Sequence, residues 1–466
     1  MKHRKIAAVL SLALAGAVAM TFAGCGLFDS LRADSRFPYD VAVERGYDGS
    51  EDSWLASLDT PSTRERRLYE EAKADGYEGS FIDFLKALGV TASDDTAAVN
   101  EALRSVVAIE ALYRSGAYDT SLSLSMGSGV VYSEASDGGL YVLTNYHVVY
   151  SSSHNWGICN EIYLYLYGAV HKGDGRVHSR ALKAEYVGGA MDYDIAILKV
   201  NADMVVTETS GSTHKNGDIL KDSDYLELTG ANSDAVTVGE RVYAIGNAEG
   251  EGISVTAGVL SVTAEYIDIE SADEKRTLNL LEMRTDAAVN HGNSGGGLFN
   301  AEGELIGIVN ARGEADGLVG FGYAIPSNLA LSVAQNIIDN AAGGNKGAVR
   351  ATLGISAQAA DGKAVYNEET GKYYIEEKVI VSEVQSGSLA SDAGLKRSDT
   401  VISLTHKPAN GVERTIYVTR LFHLTNYLFE IRLGDTLILT VTRNGEEAPI
   451  DIEMVFASKN NFTLFA

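Results

Sequence analysis

The pattern of hydrophobic positions changes near residue 120. Before this point apolar residues recur at helical spacing, and residues 94–111 predict a helix whose apolar face includes Ala98, Leu103, Val106, Val107 and Leu112. After it, short runs rich in Val, Ile, Tyr and Leu alternate with Gly and Asp turns, which predicts many β-strands. We therefore expect a mainly β fold behind an N-terminal helical region.

A short segment repeats inside the helical region. The sequence GYDGS at residues 46–50 returns as GYEGS at residues 76–80, and each copy is followed by an aromatic residue and leucines. Each copy predicts one helix that ends at the first glycine and a second helix capped by the serine. We interpret residues 25–116 as a helical repeat or stalk region that acts as a spacer or a self-association element.

Residues 1–24 have the parts of a secretory signal peptide, with a basic start, an apolar run and small residues at the end. A membrane span is the alternative, but the run is short and no basic cluster follows it. Phe22-Ala23-Gly24-Cys25 resembles a bacterial lipobox. The resemblance implies lipidation of Cys25, which would anchor the mature chain to the bacterial cell membrane on its extracytoplasmic side.

A predicted hairpin leads to the first candidate catalytic residue. Residues 127–132 and 138–143 predict its two strands, and His147 follows in the segment TNYHVV. A lone histidine in such a segment is usually structural. A catalytic role requires an acid that holds the imidazole in one tautomer.

Two acids precede a strongly apolar predicted strand at residues 195–200. Either one can cap the turn, or it can support the imidazole of His147. We prefer Asp194 over Asp192 because Asp194 directly adjoins Ile195.

The glycine-rich segment GNSGGG at residues 292–297 is the sharpest chemical signal. Glycines let the backbone turn tightly and expose one side chain, here Ser294. The amides of Gly292 and Ser294 can then point at an oxyanion that develops during catalysis. A flexible loop or an anion-binding nest is the alternative. The order His147, Asp194, Ser294 is that of chymotrypsin.

Four segments in order resemble the HtrA (DegP-like) serine proteases: LTNYHVV at 143–149, DIAILKV at 194–200, TDAAVNHGNSGG at 285–296 and GFGYAIPSN at 320–328. The resemblance covers about residues 121–456. It implies a chymotrypsin-like double β-barrel over residues 117–340, with His147, Asp194 and Ser294 as a catalytic triad between the barrels.

Further site residues follow from the same resemblance. It implies an oxyanion hole formed by the amides of Gly292 and Ser294, and a substrate-binding strand that contains Ile308, Val309 and Asn310. His291 and Gly297 stand where this family usually has proline. Both differences favour a less restricted loop, because proline limits the backbone and glycine does not.

The C-terminal part has its own pattern. A small, Gly-rich linker at residues 341–350 precedes residues 351–460, which resemble a PDZ (αβ) domain of the HtrA kind. The resemblance implies that amides near Leu353, Gly354 and Ile355 receive the C-terminal carboxylate of a peptide, which adds a strand to the domain. A small αβ domain that only packs on the protease is the alternative.

Composition excludes several classes of function. The formal net charge of −25, from 38 basic and 63 acidic residues, argues against nucleic-acid binding, which needs a basic face. The two cysteines, Cys25 and Cys159, cannot form a disulfide framework, and we expect Cys159 to be a buried small hydrophobe. We expect no metal and no cofactor, since neither metal-ligand spacing nor a phosphate loop is found in the sequence.

These observations predict an ATP-independent serine endopeptidase that cleaves unfolded or damaged proteins outside the cytoplasmic membrane. Its expected partners are misfolded polypeptides, peptide C-termini and the membrane that holds the lipid anchor, and the family resemblance suggests a homotrimer. The alternative is a latent protease that acts mainly as an extracellular peptide-binding chaperone or scaffold.

Overall fold

The computed structural model describes residues 95–114, 122–153, 157–169, 172–310, 320–368 and 371–466. All of them belong to the second of two compact units, residues 95–466. The predicted signal peptide, Cys25 and the repeats at 46–50 and 76–80 lie outside the described residues.

The first part of the described chain consists of two short helices and eight strands: α1 (Asp95–Leu103), β1 (Val106–Arg114), β2 (Leu122–Glu134), β3 (Leu140–Thr144), α2 (Tyr146–Val149), β4 (Tyr150–Ser151), β5 (Gly157–Ile158), β6 (Glu161–Leu166), β7 (Leu182–Ala190) and β8 (Ile195–Val200). Six of the strands close into an antiparallel barrel in the order β1-β2-β3-β8-β7-β6, while β4 and β5 pair with each other. The predicted hairpin is confirmed, since β2 and β3 pair through Val130 with Leu143 and Val131 with Val142.

The helix predicted over residues 94–111 is wrong beyond Leu103. Residues 106–114 form β1, which pairs with β2 on one side and β6 on the other. Val107 and Ile109 pack into one hydrophobic core, whereas Ala108 and Leu112 pack into another on the opposite face. Both faces are covered, so the strand is apolar without alternation and resembles a helix in sequence. The barrel therefore begins before residue 117, the predicted start of the protease domain.

A connecting segment carries the short hairpin β9 (Val205–Thr207) and β10 (Thr213–Lys215), followed by α3 (Asn216–Lys221). A second set of elements follows: β11 (Arg241–Gly246), β12 (Ser254–Glu270), β13 (Thr277–Thr285), β14 (Gly297–Phe299), β15 (Leu305–Asn310), β16 (Gly322–Pro326) and α4 (Ser327–Ala341). Its strands close into another six-stranded antiparallel barrel in the order β11-β12-β13-β16-β15-β14. The predicted double barrel is thus present in the described chain.

One hydrophobic core lies between the two barrels and α4. Ile195 and Ile197 of the first barrel pack in it with Ile308 and Ile325 of the second. α4 contributes apolar residues at helical spacing, which include Leu329, Val333 and Ile337. Burial of this seam fixes the two barrels against each other, so loops from both can form one site.

The C-terminal part is a separate αβ domain with its own hydrophobic core. It contains β17 (Ala348–Ala351), β18 (Ile355–Asn367), β19 (Lys372–Val384), α5 (Leu389–Asp392), β20 (Thr400–Lys407), β21 (Arg414–Tyr417), α6 (Leu421–Tyr427), β22 (Thr436–Thr442), β23 (Ile450–Val455) and β24 (Phe462–Phe465). The main sheet runs β18-β19-β20-β22-β23, with β21 added to β20, and β17 pairs with β24. This domain therefore starts inside the predicted linker 341–350 and continues past residue 460.

Candidate active site

A histidine and an aspartate meet at the end of the first barrel. His147 lies in α2, directly after β3, and Asp194 follows the 3₁₀ helix Met191–Tyr193 and precedes β8. His147 Nδ1 lies 2.6 Å from Asp194 Oδ2, and the backbone N–H of His147 donates to Asp194 Oδ1 at 3.0 Å. Both side chains are largely buried, with 14% and 5% exposed. The carboxylate thus fixes both the ring and the backbone of the histidine.

The backbone around Asp194 is also held in place. Its carbonyl accepts hydrogen bonds from the side-chain amide of Asn145 at 2.9 Å and from the N–H of Tyr146 at 3.1 Å. Asp192 points elsewhere and pairs with Arg276 at 2.7 Å. Of the two acids considered from the sequence, the structure therefore brings Asp194 to the histidine.

The glycine-rich segment forms the turn between β13 and β14 and packs against the histidine loop. The Ser294 carbonyl accepts from the N–H of Ser128 at 2.8 Å. Gly295 has a φ of +84°, and a side chain there would lie 2.2 Å from the Thr144 hydroxyl and 3.1 Å from the Asn145 nitrogen. Glycine is required at this close approach, which places the serine turn beside the segment that leads into α2.

Gly292 is constrained in the same way. Its φ is +90°, and a Cβ atom there would lie 2.2 Å from the carbonyl oxygen of Asn247. This left-handed conformation turns the chain just before Ser294, as close approach to a ligand requires. The position fits the predicted oxyanion donor, and it leaves no space for a side chain.

Sequence analysis missed two polar residues that hold the turn. Ser128 is fully buried on β2 of the first barrel; its hydroxyl donates to the Gly292 carbonyl and accepts from the Asn247 N–H, both at 2.7 Å. Asn247 is also buried and accepts from the N–H of Gly252 at 2.9 Å. The signal in the sequence was a serine between two glycines, Gly127 and Gly129, inside an apolar strand.

His291 and Gly297, which replace the prolines usual in this family, both contact other parts of the second barrel. The His291 carbonyl accepts from the N–H of Glu249 at 2.7 Å. Gly297 is buried at the start of β14, where a Cβ atom would lie 2.2 Å from the ring of Phe299. Contacts with the second barrel thus restrain both ends of the segment that contains Ser294.

The predicted substrate strand is mostly interior. Ile308 and Val309 are buried, and β15 pairs with β14 on one side and β16 on the other at these residues. The N–H of Gly295 donates to the Val309 carbonyl at 2.9 Å, which joins the strand to the serine turn. Asn310 is also buried, and its amide donates to Glu282 at 3.0 Å. The backbone of Ile308 and Val309 is therefore paired within the barrel and with the serine turn, and substrate binding at this strand stays a prediction.

A groove in the C-terminal domain contains the other predicted binding residues. Leu353, Gly354 and Ile355 line a cavity of about 280 Å³, whose apolar wall is completed from α6 and the residue after it by Leu421, Leu424 and Leu428. Gly354 has a φ of +76°, and a Cβ atom there would lie 2.3 Å from Ser388. β18 forms an edge of the sheet beside this groove.

The other candidate from the sequence, Cys159, is buried. Burial raises the pKa of the Cys159 thiol to about 12, which agrees with a packing role. Within the described ranges, no group of three or more His, Cys, Asp or Glu side chains is placed to hold a metal ion. In the same ranges, none of the helices has the length and apolar character needed to span a membrane.

Comparison with known proteins agrees with this geometry. Residues 127–308 match the family of trypsin-like peptidase domains. The chain is 31% identical over 333 residues to the periplasmic pH-dependent serine endoprotease DegQ of Escherichia coli K12, covering 71% of this chain and 58% of DegQ. It is 30% identical over 341 residues to the serine protease Do-like HtrA of Lactococcus lactis subsp. lactis IL1403, covering 71% of this chain and 70% of that protein.

A solved structure of the HtrA-type protease AlgW with a decapeptide is similar at 23% identity and a TM-score of 0.45, covering 80% of this chain and 98% of AlgW. The identity to the Lactococcus protein extends over most of both chains. This chain therefore belongs to the HtrA family of serine proteases.

Proposed function

We propose that the chain is a serine endopeptidase in which Ser294 is the nucleophile, His147 the general base and Asp194 its supporting carboxylate. The observation that carries the proposal is the 2.6 Å contact between Asp194 and His147 Nδ1, next to a glycine turn that presents Ser294. The contact leaves Nε2, the other ring nitrogen, for the serine, as this chemistry requires.

The reaction follows from these roles. Ser294 Oγ attacks the carbonyl carbon of a peptide bond while His147 Nε2 takes its proton, and the amides of Gly292 and Ser294 stabilise the resulting oxyanion. His147 then gives the proton to the leaving amine, and an acyl-enzyme remains on Ser294. A water molecule, deprotonated by the same imidazole, releases the acid product and restores the serine. No step requires ATP.

We further propose that the substrates are unfolded or damaged polypeptides. An extended chain can bring its peptide carbonyl to both the nucleophile and the oxyanion donors, whereas a folded chain keeps its peptide bonds out of reach. The groove at Leu353, Gly354 and Ile355 would hold a peptide C-terminus, with the peptide added as a strand along the free edge of β18. In this proposal the C-terminal domain is a PDZ domain.

The proposed location is the extracytoplasmic face of the bacterial cell membrane. The relative DegQ is named as periplasmic, and residues 1–24 of this chain have a signal-peptide pattern. Lipidation of Cys25 would hold the protein at the membrane, and a homotrimer is the assembly that we propose from the family resemblance.

The test is cleavage of casein by the full-length chain and by Ser294→Ala. Ser327→Ala is the matched control, because Ser327 is also buried and makes a single hydrogen bond, to the Ala231 carbonyl at 2.9 Å. Parent and control should cleave casein and react with a fluorophosphonate probe, and Ser294→Ala should do neither. If the folded parent cleaves nothing at any pH, the peptide-binding chaperone or scaffold becomes the better interpretation.

A further inference from the structure

A second acidic side chain is buried in the second barrel and is linked to the serine turn through β15. Glu282 lies in β13 and is fully buried. Its neighbour Met283 points into the interior of the second barrel. Because side chains alternate along a strand, Glu282 points outward, into the seam where Ile308 and Ile325 meet the first barrel. Nothing in the sequence analysis indicated a carboxyl group at this place.

Glu282 is linked by hydrogen bonds to the serine turn. The side-chain amide of Asn310 donates to Glu282 Oε1 at 3.0 Å. The preceding residue, Val309, exchanges backbone hydrogen bonds with Gly295 at 2.9 Å and Gly296 at 2.8 Å. The carboxyl group of Glu282 thus orients Asn310. The residue before it, Val309, contacts the turn of Ser294.

The surroundings of Glu282 disfavour its charged form. Burial, together with the negative charge of Asp194, raises its pKa well above the usual carboxyl range, although the Asn310 amide opposes this shift. Among the described residues, Glu282 Oε2 has no hydrogen-bond partner and no cation pairs with the group. Burial without a cation therefore favours the protonated, uncharged carboxyl group of Glu282.

The other charged groups near Glu282 form ion pairs or hydrogen bonds with other residues. Arg284, two residues along the same face of β13, pairs with Glu265 of β12 at 3.1 Å. On the 3₁₀ helix that packs against β13, Asp192 pairs with Arg276, and the hydroxyl of Tyr193 accepts from Arg350. On β16, Tyr323 is buried beside Asn310 in the strand register. From the first barrel, the negative charge of Asp194 acts on the carboxyl group, and Asp194 itself pairs with His147.

We propose that Glu282 is a positioning residue: in its uncharged form it holds Asn310 and, through the neighbouring Val309, the turn that carries Ser294. This inference rests on the proposed protease function. Loss of the Glu282 proton leaves an unpaired negative charge in a fully buried place, which disturbs the packing around Asn310. Because Val309, next to Asn310, is hydrogen-bonded to the turn of Ser294, this disturbance reaches the serine turn, and ionisation of Glu282 sets an alkaline limit on activity.

The test compares the pH dependence of kcat/KM between pH 6 and 10, with fluorescein-labelled casein and the full-length chain. Glu282→Gln removes the titrating proton but keeps an oxygen that accepts from Asn310. Glu282→Leu removes both. Asp268→Asn is the control, because Asp268 accepts from the amide of Asn279 at 2.8 Å in the same strand pair but is exposed.

We expect the ratio of kcat/KM for Glu282→Gln to that of the parent to rise by about threefold or more from pH 7 to pH 10. The ratio for Asp268→Asn should stay constant. Glu282→Leu should show the same rise and, since Asn310 loses its acceptor, a kcat lower by about tenfold at nearly unchanged KM.

Two outcomes overturn the inference alone while the parent still cleaves. One is a pair of Glu282 variants, both folded, whose profiles run parallel to that of the parent over the whole range. The other is failure of both variants to fold, which would make Glu282 a structural residue. If the folded parent cleaves nothing and gains no fluorophosphonate label, the proposed function fails and this inference fails with it.

Discussion

The most informative single substitution is Ser128→Ala, because Ser128 belongs to one barrel and holds a loop of the other. Its hydroxyl is fully buried between the Gly292 carbonyl and the Asn247 N–H, at 2.7 Å from each. Alanine fits the same space, so the change removes two hydrogen bonds without a steric conflict. Both backbone groups are then left without this partner.

The magnitude follows from the cost of unpaired buried polar groups. Each one costs about 1–3 kcal/mol, so the two together cost about 2–6 kcal/mol if the loop does not relax. Relaxation transfers part of that cost to catalysis, since the Gly292 carbonyl and the neighbouring amides rotate together. A misplaced oxyanion donor lowers kcat by about 10- to 100-fold, equivalent to about 1.4–2.7 kcal/mol.

The assay measures casein cleavage and denaturant unfolding on the same preparations. Ser105→Ala is the matched control, because Ser105 is buried in the first barrel and its hydroxyl donates only to the nearby Ala102 carbonyl at 2.8 Å. We expect the control to lose about 1 kcal/mol of unfolding free energy and no activity. A Ser128→Ala chain with the kcat of the parent and the stability of the control would refute the reasoning.

Two further predictions concern other parts of the chain. Gly292→Ala should abolish casein cleavage without unfolding the protein, because the new Cβ would lie 2.2 Å from a carbonyl oxygen at a φ of +90°; full activity would contradict this. Arg443→Leu should cost the C-terminal domain about 3 kcal/mol, because it removes the partner of the fully buried Asp399, at 2.6 and 2.7 Å. Burial opposes ionisation of Asp399, but the Arg443 hydrogen bonds outweigh it and hold the pKa below its usual range. The stabilisation is therefore complete above the usual carboxyl pKa and lost as pH falls through the lowered value; pH-dependent denaturant unfolding should show this loss in the parent and a flatter curve in Arg443→Leu.

Local sequence was sufficient where a short segment both forms the element and carries the chemistry. The loop at His147, the turn before β8 and the glycine-rich turn at Ser294 each lie within a few residues of one motif. Their spacing did not reveal how they meet, and the double barrel was expected from the resemblance of four segments to the HtrA family. The choice of Asp194 over Asp192 rested on adjacency to the buried strand, and the structure brings that residue to the histidine.

The sequence was insufficient where contacts with residues distant in the chain determine the structure or the role of a residue. Residues 106–114 contain apolar side chains at spacings that suit a helix or a strand covered on both faces, and only pairing with β2 and β6 selects the strand. Glu282 has an ordinary place in its strand, and only packing of the two barrels buries it beside Asp194. Ser128 likewise gains its role from Asn247 and Gly292, which are contributed by the second barrel.

Because the two barrels both contribute to the proposed site, the site is incomplete until both have been synthesised and have folded. A ribosome delivers His147 and Asp194 well before Ser294, and domains commonly fold in the order in which they emerge. Until the second barrel docks, Ser128 has neither the Gly292 carbonyl nor the Asn247 N–H as a partner, and the serine turn is not in place. A chain in which only the first barrel has folded therefore lacks the complete proposed site and should not cleave itself or its neighbours.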